Sequence, residues 1–102
     1  MAISMLDFRD LVNRTADRFE LQTGVPVTPP AREALITPAL PHQQQVEQEI
    51  RTGRVTKADL QGHIFTVLQN AESIARGLGR DVIDEEEVLL SMRTYCPYIF
   101  WC

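Results

Sequence analysis

Lysine is nearly absent from this chain. Lys57 is the only one among ten basic residues, and fourteen acids leave a net charge of −4 over 102 residues. The arginines are dispersed among the acids rather than gathered into a stripe. Phosphate recognition depends on neutralising charge, so DNA and RNA are disfavoured as partners. Cysteine is scarce too. Cys96 and Cys102 are the only two, too few and too close together for a disulfide framework, and a reducing cytoplasm is the expected setting. No apolar run approaches the ~18–20 residues of a membrane span, so no membrane partner is expected. The opening MAISMLDFRD carries acids early and lacks the apolar stretch of a secretory signal.

The motifs of catalysis are missing as well. There is no Gly-rich phosphate loop, no G-x-S-x-G turn and no H-E-x-x-H. The chain is therefore read as non-enzymatic and without a cofactor. His42 and His63 stand far apart in sequence; with Cys96 and Cys102 they could supply zinc ligands, but C-x5-C is not a zinc or thioredoxin spacing, so no metal is assigned. Cys102 also stands in the wrong place for prenylation. The acid run Asp84–Glu87 lacks the glycine turn and alternating ligands of a calcium loop. Four acids at the start of a helix favour the positive end of its dipole, which explains them without a cation.

What the chain does have is helical periodicity. At 44% hydrophobic and 24% charged it has the composition of a folded domain, and its length suits a single one. The organising element is Thr56–Leu78. Leu60, Ile64, Val67, Leu68, Ala71, Ile74, Ala75 and Leu78 recur at three- and four-residue steps, and Phe65 widens the stripe. Thr56 and Asp59 have the spacing of a reciprocal N-terminal cap, and Gly77 and Gly79 supply the stop. Residues 1–24 form an N-terminal helix. Met5, Phe8, Leu11, Val12, Thr15, Ala16 and Phe19 lie on its inner side, Ser4 caps its start, and Asp10–Arg14 is an i,i+4 pair outside. Gly24 ends it.

Residues 25–41 hold five of the six prolines. Thr28-Pro29 reads as a cap followed by proline at the first helical position, with a short helix over about 29–36 that Pro38 cannot continue. Val25, Val27, Leu35, Ile36 and Leu40 are too frequent for an exposed Pro-rich ligand, so this stretch is expected to be a rigid connector lying on the core. Residues 42–94 then form a three-helix unit. A polar helix over 42–52 offers only Val46 and Ile50 inward. The central helix follows, and then a last helix capped by Asp84, with Glu87 at its third position and Val88, Leu89 and Met92 on its apolar side. Residues 95–102 close the chain with four of its seven aromatics.

Within 42–94 the order is short helix, long helix, short helix. The loop Gly79-Arg80-Asp81-Val82-Ile83-Asp84, followed by Glu87-Val88, resembles the loop before the last helix of histone-fold proteins, and is also similar to the lid of AAA+ ATPases. The first resemblance covers about half the chain and implies a handshake dimer with a DNA-binding or scaffolding role. The long N-terminal helix has no counterpart there, the central helix is shorter than a histone's, and no basic surface is evident.

The expected fold is all-α: a small bundle of four to five helices around the helix at about 56–78, with a histone-fold-like order of helices in the C-terminal half. The expected function is that of a small cytoplasmic protein–protein interaction or regulatory protein whose partner is another protein or a second copy of itself, as a homodimer. The apolar residues Tyr98, Ile99, Phe100 and Trp101 either fold back to close the core beside the N-terminal helix or form the contact to another subunit or partner; they are the candidate partner-binding residues, because Tyr and Trp join a large apolar body to a polar handle. A nucleoid-associated, histone-like module is the alternative, and a thiol- or metal-dependent activity at Cys96 and Cys102 a second one.

Overall fold

The computed structural model describes residues 5–95, except the side chains of Met5, Leu6 and Gln43. Within that span the protein is an all-α bundle of five helices: α1 (Met5–Thr23), α2 (Pro29–Ile36), α3 (Gln43–Arg51), α4 (Lys57–Gly77) and α5 (Glu85–Thr94). A 3₁₀ segment, Thr37–His42, joins α2 to α3. Among the described residues no helix is long and apolar enough to cross a membrane.

α4 is the axis of the bundle, about 31 Å long at 1.5 Å per residue. It packs most extensively on α5 and then on α1, while α2 lies against both α1 and α5. The Thr56 hydroxyl accepts from the Asp59 amide and the Asp59 carboxylate accepts from the Thr56 amide, so the reciprocal cap is formed. Leu60, Ile64, Val67, Leu68, Ala71 and Ala75 are buried along one side. Phe65 is half-buried and meets the buried Phe19 of α1 edge-on, with ring centroids 5.4 Å apart and planes at 69°. That is the favoured aromatic geometry, in which a ring edge meets a ring face.

Several end positions differ from the periodic expectation. Leu78 lies one residue past α4 and is 54% exposed. The stop itself is as expected: Gly77 is the last residue of α4, and the reversal is made at Gly79, whose φ of +73° suits a residue without a Cβ. Leu40 is 46% exposed, because the 3₁₀ segment turns Ala39 inward instead. α2 ends at Ile36, as expected ahead of Pro38, but the residue before that proline is not pushed out of helical space. Thr37, directly before it, keeps helical angles (φ −55°, ψ −45°), and the chain tightens into 3₁₀ geometry rather than stopping. A following proline disfavours the α region without forbidding it.

The rest of the connector lies on the core as expected. Val27, Leu35 and Ile36 are buried and Val25 packs against them. The Thr28 hydroxyl accepts from the Ala31 amide, with prolines occupying the first positions of α2 where no amide is needed. α3 buries Val46 and half-buries Ile50; its main contacts are with the 3₁₀ segment rather than with α4.

Candidate interaction surface

Two loops set the geometry of the surface that α2 and α5 share. Val27 and Ile83 form an isolated parallel bridge, in which the Ile83 amide donates to the Pro26 carbonyl (2.9 Å) and the Thr28 amide to the Ile83 carbonyl (3.0 Å). The residues just beyond the bridge are the two helix caps, Thr28 and Asp84. The Thr28 hydroxyl donates to Asp84 Oδ1 at 2.8 Å, and the same oxygen accepts from the Glu85 amide at 2.8 Å. The starts of α2 and α5 are thereby tied side by side.

An arginine reinforces each side of this junction. Arg32 of α2 reaches Asp17 (2.7 Å), Glu20 (2.9 Å) and the carbonyls of Asn13 and Val27. The second oxygen of Glu20 accepts from the Val27 amide at 2.8 Å. Both main-chain groups of Val27 therefore meet side chains here, the amide Glu20 and the carbonyl Arg32. Arg80, in the loop before α5, faces Glu87 (3.1 Å), Glu86 (3.5 Å) and Asp84 (4.0 Å).

Within the acid run Asp84–Glu87, Glu87 turns inward. It is fully buried, and although Arg80 Nη1 lies 3.1 Å from its Oε1, neither carboxylate oxygen has an aligned hydrogen-bond donor. A buried carboxylate is costly unless paired, and the Arg80 guanidinium beside it offsets part of that cost. Glu87 stands four residues before Ser91, on the face that Val88, Ser91 and Met92 turn inward. Ser91 is the satisfied member of that face, donating to the Val67 carbonyl at 2.7 Å.

Asp84 has a depressed pKa. The Glu85 amide contributes most, then the Thr28 hydroxyl, with a smaller effect from the Arg80 charge. A carboxylate held below its ordinary value of 3.8 stabilises the fold fully above that value, and its contribution is lost as the pH falls through the lower, folded value. Asp84→Asn is therefore expected to be less stable near neutrality and to lose less further stability as the pH drops below 3.8. Denaturant melts of both proteins across that window check this; parallel curves would contradict it. Asp59 is depressed for the same kind of reason, through the Thr56 amide and hydroxyl.

Between α2, the 3₁₀ segment and α5 runs an open groove of about 350 Å³, lined by Pro30, Glu33, Ala34, Thr37, Pro38, Glu85 and Leu89. Leu89 was expected on the buried side of the last helix. It is 39% exposed, because it lies one step round from Val88 and faces this groove. Arg9 of α1 pairs with Glu33 at the rim.

The sequence-derived partner-binding residues Tyr98, Ile99, Phe100 and Trp101 lie outside the described residues, as do Cys96 and Cys102. The last described residue is Tyr95, half-buried against the core. Its hydroxyl hydrogen-bonds Nδ1 of His63 on α4, with ring centroids 5.8 Å apart. His42 lies elsewhere, beside Leu40 and Pro41. Among the described residues no three His, Cys, Asp or Glu side chains converge to hold a metal. No known protein family model, curated protein or solved structure matches the chain.

Proposed function

We propose that this chain is a small cytoplasmic interaction or regulatory protein, without enzymatic activity, that associates with a second copy of itself through Tyr98, Ile99, Phe100 and Trp101. The observation that carries the reading is the anchored residue just before that segment. Tyr95 is held to α4 by its contact with His63, so the point at which the apolar stretch begins is fixed on the bundle. Left in water together, such side chains would make an apolar patch of several hundred Å², more than a monomer ordinarily presents. The cytoplasmic setting is supported by the two-cysteine composition.

A histone-like role is the second reading. The short–long–short order of α3, α4 and α5 and the Arg80–Glu87 pair favour it. The acidic net charge opposes it, as does the engagement of Arg9, Arg14, Arg32, Arg76 and Arg80 in ion pairs with carboxylates.

Removal of residues 98–102 tests the proposal. The truncated chain is expected to keep its helical circular dichroism and its cooperative melt while its mass by light scattering falls from dimer to monomer. An unchanged mass would overturn the reading; unfolding would place the segment in the core instead.

A further inference from the structure

We infer that the groove between α2 and α5 receives the segment Tyr98–Trp101 of a second copy of this chain, each copy giving its segment and offering its groove. The inference rests on the proposed self-association and names the surface that accepts the segment. The floor of the groove is apolar and open, with Pro30, Ala34, Pro38 and the exposed side of Leu89 presenting rigid or short side chains against which flat rings can lie. Its rim is made of acceptors, the carboxylates of Glu33 and Glu85. The segment brings donors to match, the Tyr98 hydroxyl and the Trp101 indole N–H, and carries no charged side chain that the desolvated floor would penalise.

Direction favours exchange between copies over a return within one. Tyr95 points to α4, where it meets His63, whereas Leu89 points to α2. The area also suits a dimer. Three aromatic side chains bury about 150–250 Å² each, so two reciprocal contacts reach the order of 1,200–2,000 Å² that stable interfaces occupy. Reciprocal exchange closes a two-fold pair and leaves no open end for further addition.

Trp101 is the only tryptophan, so its emission reports the environment of the segment directly. The measurement is emission maximum and light-scattering mass for the intact chain, the 98–102 deletion (mass only), Leu89→Glu and Pro30→Glu, each over a hundredfold dilution. Both substitutions are at exposed positions, and circular dichroism confirms that each variant is folded. The intact chain is expected to be dimeric with blue-shifted emission that moves red on dilution. Both groove variants should show red emission throughout and dissociate at least tenfold more readily. Blue emission that ignores dilution but is lost in Leu89→Glu would mean the segment docks within its own copy, overturning the exchange. A dimer lost on deletion yet indifferent to both groove substitutions would overturn the groove and leave the proposed function standing. A dimer that survives the deletion would overturn both.

Discussion

Leu68→Ala is expected to destabilise the protein by about 2–5 kcal/mol, the range for truncating a buried leucine when the surroundings relax only partly. Leu68 is wholly buried on α4, within one continuous cluster that includes Phe8, Val12, Phe19, Leu35 and Val88 from three other helices. Leu78→Ala is the matched control. Leu78 belongs to the same periodic stripe but lies past the end of α4 and is more than half exposed, so its loss is expected to stay within about 0.5 kcal/mol. Urea unfolding of both variants measures the contrast, read from the midpoint at unchanged slope. Equal losses at the two positions would remove α4 from its place as the axis of the bundle.

The second large effect is expected at Arg80. Arg80→Met leaves the Glu87 carboxylate buried with no cation beside it, while keeping a side chain of comparable length over it. Stripping one partner from a fully buried pair costs roughly 3–5 kcal/mol; because Arg80 is itself 39% exposed and partly screened, about 2–3 kcal/mol is expected here. The damage should be reversible by removing the charge as well. Arg80→Met combined with Glu87→Leu is expected to recover most of the loss, since an apolar residue of similar size needs no partner at that site. The coupling between the two positions, obtained from the four unfolding free energies, separates this cause from mere loss of arginine packing. If the double variant is as unstable as Arg80→Met alone, the pairing does not explain why Glu87 is buried.

Local signals carried much of the fold. The Thr56–Asp59 cap, the Thr28-Pro29 start, the reversal at Gly24 and the long stripe of α4 each depend on residues within one or two turns, and each is present in the structure. Errors gathered where a local rule met a distant partner. Glu87 reads as a fourth dipole acid because Asp84, Glu85 and Glu86 precede it. Its position four residues before the inward Ser91, and seven after Arg80, was the available sign that it turns inward. Leu89 reads as core by its type, but one step beyond Val88 carries it about 100° round the helix into the groove. The Arg32 network and the Thr28–Asp84 bond join residues far apart in sequence, and no spacing rule announces them. Tyr98–Trp101 stood out by composition alone, and composition marks a candidate without saying what it meets.

Self-association is tested most directly by the mass of the intact chain in solution. Sedimentation equilibrium or light scattering over the micromolar range is expected to give twice the 11.6 kDa of one chain, falling toward that value on dilution. A mass of 11.6 kDa at every concentration up to about 1 mM, which bounds association at roughly −4 kcal/mol or weaker, would contradict it.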